Sequence, residues 1–533
     1  MKRILLSILC MAFFACFLLR SQITPVEKGL NAITTTVLKA QLGFLASDWT
    51  EGRESGQKGE YLAGDYIASM LQLYGVKPGG DYPLARGFTN IQRSNEKTYF
   101  QNFILQKTSP GDENILKVRL TDGAGIKVIS FTYNLDFTLR PSGAGLEIDA
   151  PVVFAGYGFK NDKLKYNDFS KLDLKGKLVL KISGAPGFAR ESLSPSELSA
   201  SAREAETVMK SMGAAGIIEI NPNSSTVGNV PGNMPVNLSP SEVNPRSARP
   251  YANYSIPGER DPENLVRIMI SASAGNEILK GTDIVLEDFI KKAEKNSNIA
   301  LPSISGKSIY FKTTVRTEAV RVRNIIGVIE GTSQDQIIVL GAHYDHLGIG
   351  NGYIWNGADD NGSGTVGVMT IAKAISESGK KPQKTIIIAL WTAEEQGLLG
   401  SEYYVKNLSY PLKDLKLNVN FDMISRYIAD NDQNKVIMTY TESNPDFRTI
   451  TESNIKKYGI DLVVDYQPSK DPPGGSDHRS FVSAGVPVMR FKPGHREEYH
   501  TPADEVNTLD WDIMEKIVKI SFANVWELAN SNW

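Results

Sequence analysis

All five histidines of this 533-residue chain, His343, His346, His478, His495 and His500, fall in its last part. Imidazole is the commonest metal ligand and the near-neutral acid–base group, so their clustering points first to a site. Acidic residues are interleaved with them. Gly341-Ala342-His343-Tyr344-Asp345-His346 ends one predicted strand, Thr392-Ala393-Glu394-Glu395 a second and Asp422-Met423 a third. The Gly-rich loop 356–364 carries Asp359 and Asp360 into a predicted helix, and the polar loop 497–504 carries Tyr499 and His500. Singly, each fragment has a bland reading: Asn361 or Ser363 caps a helix, Glu394-Glu395 starts one in solvent, Asp422 caps a strand. Together they offer two histidines and three carboxylates, a nitrogen and oxygen set suited to zinc or a related divalent ion. Five ligands exceed one tetrahedral site. If one carboxylate is shared they make two sites of three protein ligands each around a common water, the composition of a two-metal hydrolytic centre. A calcium loop is excluded, because the twelfth position counted from Asp359 is Thr370, where glutamate is required.

These residues need a frame that gathers them. After Lys307 the sequence alternates strand, loop and helix, with strands over 337–340, 385–391, 417–421 and 486–491 and helices over 365–376 and 511–528. That rhythm predicts an α/β fold, a largely parallel sheet flanked by helices, in which side chains distant in sequence converge at the carboxyl ends of the strands. Pro487 predicts that the last strand starts late or lies near an edge. From Val26 to about Asn90 apolar residues recur at helical spacing. The middle of the chain is β-rich, with strands at 103–105, 118–120, 152–159 and 178–182, a Ser- and Pro-rich run over 187–201, a helix near 205–212 and an Asn- and Pro-rich loop over 221–257. It reads as a separate, smaller α+β unit.

Composition narrows the function. With 41% hydrophobic and 22% charged residues the chain is globular, and a formal charge of −2 offers no basic field for nucleic acid. Met1-Lys2-Arg3, an apolar run over 4–19 broken only by Ser7, then Arg20-Ser21-Gln22 reads as an export signal over residues 1–21, too short to span a bilayer comfortably. Export to the periplasm, cell surface or exterior is the expectation, with lipid attachment at Cys16 the weaker alternative. Both cysteines, Cys10 and Cys16, lie in this segment, so a chain cleaved near Ser21 is expected to carry no disulfide and no stable membrane span, an uncleaved anchor being the alternative.

The order His343-x-Asp345, Gly357-Ala358-x-Asp360-Asn361-x-Ser363-Gly364, Ala393-Glu394-Glu395-x-Gly397-Leu398-x-Gly400-Ser401, Asn420-x-Asp422-Met423, Ser476-Asp477-His478 and Tyr499-His500-Thr501 resembles the M28 family of co-catalytic zinc metallopeptidases, from about Arg323 to the C-terminus. Leu45-Ala46-Ser47-Asp48 and Gly52-Arg53 resemble the leading part of the same domain in larger members. Phe154-Ala155-Gly156-Tyr157-Gly158, residues 172–179 and Gly213-Ala214-Ala215-Gly216 resemble an inserted protease-associated domain. The resemblance implies a three-layer zinc-peptidase fold in two parts, 22–135 and 306–533, around an insert at 136–305.

It further implies two zinc ions per chain, bridged by Asp360, with His343 and Asp422 completing one site and Glu395 and His500 the other. Glu394 would be the general base for the shared water, Tyr499 would donate to the oxyanion, and Asp345 would orient the His343 ring. Spacing alone does not separate Glu394 from Glu395. His346 and His495 read as loop or supporting residues, Asp359 as structural and Asp477-His478 as site-lining. The function implied is an exported aminopeptidase acting on peptides. Carboxypeptidase or dipeptidase activity on the same centre, or a non-catalytic receptor-like protein of this fold, are the alternatives. The sequence leaves oligomeric state open.

Overall fold

The computed structural model describes residues 23–86, 91–93, 95–122, 125–140, 145–223, 252–258, 265–295, 301, 304–350, 352–427, 432–494 and 496–533. The export segment with its two cysteines, His495 and most of the predicted loop over 221–257 lie outside these residues. The chain forms two compact units, one from residues up to Phe103 together with Arg321–Trp533, the other from Ile104–Val320.

The first unit is built on seven strands: β1 (Lys307–Ile329, through its C-terminal part), β2 (Ser333–His343), β3 (Lys384–Trp391), β4 (Leu415–Phe421), β5 (Lys435–Thr441), β6 (Val463–Ser469) and β7 (Val488–Lys492). Their order is β6-β5-β7-β4-β2-β3-β1. The pairs β7–β4, β4–β2 and β2–β3 are parallel, whereas β5–β7 and β3–β1 are antiparallel. Every residue of β3 is buried, as its unbroken run of Ile, Ala and Leu requires of a strand covered on both faces. Helices α1 (Pro25–Ala32), α2 (Thr35–Leu45), α3 (Lys58–Leu73), α4 (Gly364–Glu377) and α5 (Trp511–Asn530) supply much of the covering layer, and Leu38, Leu42, Ile67, Val366, Ile371, Ile513 and Phe522 share one core with Ile338, Leu340, Ile386 and Val419. Pro487 precedes β7, which starts at Val488 and lies inside the sheet between β4 and β5, so the late start rather than the edge accommodates the missing N–H. The N-terminal helical pattern stops at Leu73, short of the predicted limit, where Gly75 at φ 76° turns the chain into extended structure.

The second unit has a parallel group of strands over Leu146–Phe154, Leu178–Ile182, Gly216–Asn221 and Arg267–Ser271, closed by Phe137–Arg140 running antiparallel. The Ser- and Pro-rich run expected as loop is helical, Gly187–Ser192 and Pro195–Ser211. Its cause is a capping box: the Ser194 hydroxyl accepts from the Glu197 amide while Glu197 accepts from the Ser194 amide, with Pro195 at the first helical position. Lys181 and Glu219, directly opposite in the parallel register, form a buried ion pair at 2.9 Å, and Arg267 reaches the other Glu219 oxygen at 2.9 Å. Truncating Lys181 strands part of that charge on the sheet face that buries Val179 and Ile217. Lys181→Met is therefore expected to cost about 3 kcal/mol, the low end for a broken buried pair because Arg267 stays, read as a lower urea midpoint. Among the described residues no helix is long and apolar enough to cross a membrane.

Candidate metal centre

Four loops at the carboxyl ends of parallel strands meet in the first unit. His343 is the last residue of β2, Glu394 and Glu395 follow β3, Asp422 follows β4, and His500 follows β7. Asp360 enters from the turn before α4. Gly357 begins that turn at φ 54°, and a Cβ there would stand 2.1 Å from the Asp360 carbonyl oxygen, so only glycine fits. Asn361 ties the turn to β4, donating to the Phe421 carbonyl at 2.8 Å and accepting from the Gly364 and Met423 amides at 3.0 and 3.3 Å. Asp359 stays structural: its Oδ1 accepts from the Ser425 amide and hydroxyl and from Ser363. Ala393, Met423 and His500 hold φ of 55°, 57° and 57°, left-handed conformations that cost of order 1 kcal/mol each and aim the adjacent functional side chains inward.

The five expected ligands converge. Asp360 presents Oδ1 to His343 Nε2 at 3.3 Å and Oδ2 to His500 Nε2 at 3.0 Å, so its two oxygens face two different imidazoles. Asp422 lies 3.8 Å and Glu394 3.9 Å from His343 Nε2, and Glu395 Oε2 lies 3.3 Å from His500 Nε2. Ligand atoms of His343, Glu394 and Asp422 fall within 4.8 Å of one another, as do those of His346, Asp360 and Glu395. His346 is thus closer to the centre than the sequence indicated. Its Nδ1 pairs with Glu395 Oε1 at 2.8 Å, and its buried Nε2 has no hydrogen-bond partner among the described residues.

Electrostatics separate the two adjacent glutamates. Burial pushes Glu394 well above the carboxylate range; His343 offsets part of this while Glu395, Asp477 and Asp422 add to it. Burial acts on Glu395 too, but His346 and His500 override it and hold that carboxyl well below its ordinary value. Burial would lower both His343 and His500, yet the surrounding acids raise His343 well above its usual range and His500 to about 10. Four carboxylates packed around two imidazoles that hold their protons so strongly fit a divalent cation, which displaces those protons on binding, and the donor set is the nitrogen and oxygen one that zinc takes.

Asp345 differs from expectation. The nearer acceptor for His343 Nδ1 is the Asp345 backbone carbonyl at 3.1 Å, with the carboxylate at 3.7 Å. The carboxylate instead accepts from the Glu394 amide at 3.1 Å and the Ser55 hydroxyl at 3.0 Å, because the chain leaves the strand after His343 and turns that side chain toward the next loop. Tyr499 stacks on His500 with ring centroids 3.9 Å apart and is 41% exposed, at the mouth of the centre. Asp477 and His478 are buried, with Asp477 close to Ser401 and His478 beside Arg490.

Sequence reasoning passed over two further residues. Arg53, 1% exposed, donates from Nε to the Tyr344 carbonyl at 2.7 Å, from Nη1 to the Leu45 and Asn356 carbonyls at 2.7 and 2.6 Å, and from Nη2 to the Gly357 carbonyl at 2.9 Å. Asp504 accepts the Asp359 and Asp360 amides at 2.9 and 3.0 Å. The only signal for Arg53 was its place in the Gly52-Arg53 motif.

Residues 324–525 match the model of Peptidase family M28. Leucine aminopeptidase 2 of Trichophyton rubrum is 34% identical over 202 residues, 37% of this chain and 38% of that protein, so the matched segment spans well under half of the relative's length. Among solved structures, an aminopeptidase from Aneurinibacillus sp. strain AM-1 superposes over 95% of this chain and 97% of its own with a TM-score of 0.57 at 18% identity. BSAP, a zinc aminopeptidase from Bacillus subtilis, does so over 94% and 96% with a TM-score of 0.52 at 18% identity. At that identity these likenesses speak for the fold, a mixed α/β sheet covered by helices. The segment that matches the Peptidase family M28 model, residues 324–525, carries all five converging side chains.

Proposed function

We propose that the protein is an exported aminopeptidase with two zinc ions per chain, removing N-terminal residues from peptides. The observation that carries this reading is the placement of the two Asp360 oxygens between His343 and His500, which divides the cluster into two adjoining sites with one shared carboxylate. His343, Asp360 and Asp422 would hold one ion and Asp360, Glu395 and His500 the other. When bound, the pair would polarise the scissile carbonyl and acidify water.

The protein's own groups carry the proton. Glu394, buried and held above the carboxylate range, would take a proton from the attacking water and deliver it to the leaving amine. Tyr499 stays a donor, because burial and then Asp360, Glu395 and Asp422 push its hydroxyl pKa upward, and it would hydrogen-bond the developing oxyanion. The Asp345 carboxylate, through the Glu394 amide, would hold the base in line. Choice of the N-terminus is supported by relatives that are themselves called leucine aminopeptidases. The unit over Ile104–Val320 would correspond to the protease-associated insert, with a leader over residues 1–21 directing export.

The test is hydrolysis by the purified full chain of aminoacyl substrates against the same peptides with blocked N-termini, with metal analysis. Cleavage of free N-termini only, two zinc per chain, and loss of activity with a chelator restored by zinc are expected. Cleavage of blocked peptides from the carboxyl end would replace the reading with a carboxypeptidase, and no hydrolysis in a zinc-loaded chain would favour a receptor-like role.

A further inference from the structure

The turn that carries Asp360 is gripped from two sides by residues that touch neither substrate nor the ligand atoms. On the carbonyl side, the Arg53 guanidinium holds the Asn356 and Gly357 oxygens at 2.6 and 2.9 Å. On the amide side, the Asp504 side chain holds the Asp359 and Asp360 N–H groups at 2.9 and 3.0 Å, and its own carbonyl accepts from Ala358 at 3.1 Å. Every residue of the turn from Asn356 to Asp360 thus has a backbone group bound by one of the two.

Arg53 makes two more bonds that matter. Its Nε binds the carbonyl of Tyr344, the residue after His343, and its own carbonyl accepts the His346 amide at 3.1 Å. One buried side chain therefore spans the loop bearing His343 and the turn bearing Asp360. Among the described residues all four hydrogen bonds of its side chain end on backbone carbonyls, and none on a carboxylate. A buried guanidinium spent wholly on main-chain oxygens fixes distances between loops, since its planar fork holds its acceptors in one geometry.

We infer that Arg53 and Asp504 are paired positioning residues that set the place of the Asp360 carboxyl between the two halves of the metal centre. The inference rests on the reading of His343, Asp360, Glu395, Asp422 and His500 as zinc ligands. Lysine at position 53 keeps a cation but cannot reach four carbonyls in a plane. Asparagine at 504 keeps the shape but turns a donor toward one of the two amides.

Zinc affinity of the full chain, measured by competition with a chromophoric chelator, and the rise in unfolding midpoint on adding zinc provide the test. Removal of groups that orient metal ligands typically weakens affinity about 10–100-fold, and Arg53→Lys and Asp504→Asn are each expected to fall in that range. The zinc-dependent rise in midpoint should shrink with it. Leu38→Ala, a core truncation in the same unit that removes no hydrogen bond to the turn, is the control. It should lower the zinc-free and zinc-loaded midpoints together and leave affinity unchanged.

If Arg53→Lys does not fold, Asp504→Asn carries the test. Variants that bind zinc as tightly as the parent, or that behave as Leu38→Ala does, overturn the clamp alone. A parent chain that takes up no zinc overturns the metal-centre reading, and the clamp's purpose with it.

Discussion

Glu394→Gln is expected to keep two zinc ions per chain and to lose about 10²–10⁴-fold in kcat, the range for a positioned acid–base group. Glutamine has the shape of glutamate and the same room beside His343, but its amide accepts no proton at neutral pH. The placement of Glu394 suits the role: its carboxyl lies 3.9 Å from His343 Nε2, beside the ligand atoms, within reach of a water held there. KM should change little, since the substitution leaves the zinc ligands in place. Loss of zinc together with activity would instead make Glu394 a ligand, in keeping with its place within 4.8 Å of the His343 and Asp422 donor atoms.

Asp360→Asn has the wider consequence. Among the described residues Asp360 is the one carboxylate within 3.3 Å of both His343 Nε2 and His500 Nε2, and an amide in its place removes a negative charge and one of the two oxygen donors at once. Metal analysis is expected to show at most one zinc per chain, and activity to fall to that of the zinc-free protein. The neighbouring imidazoles report the same change. Burial lowers the pKa of His500, and Asp360 and Glu395 raise it to about 10. A histidine whose folded pKa is raised contributes stability that is fully present below its unfolded value, near 6.5, and is lost as pH rises through the folded one. Without Asp360 the zinc-free variant should therefore lose more stability, relative to the parent, at pH 6 than at pH 10. Urea unfolding of the zinc-free chains at the two pH values checks it, and an equal loss at both would discard the coupling.

Much of this centre was legible in the sequence because its parts are side chains of distinctive type at the ends of strongly apolar strands. The runs over 337–340, 385–391 and 417–421 are buried on both faces and read as strands without ambiguity. Strand β6 was not legible, for its residues alternate between partial and full exposure and it contains Pro468. The helix at Pro195–Ser211 was hidden by composition, although Ser194 and Glu197 spelled its start. Glu394 and Glu395 are adjacent, so only the surrounding charges distinguish them. Arg53 was invisible for a different reason. Its partners are main-chain oxygens of residues 45, 344, 356 and 357, and no side-chain pattern announces a carbonyl.

The packing of α1 and α2 against α5 has a consequence for how the chain is made. The Thr35 amide donates to Glu515 at 2.5 Å, and Gly29 sits so close to the Phe522 ring that a Cβ would stand 2.1 Å from it. At a synthesis rate of about 5–20 residues per second, the first helices wait roughly 25–100 s for the segment that covers them. Throughout that interval Ile33, Leu38 and Leu42 lack part of their native cover, and a chain cut short before Asp510 cannot finish this core.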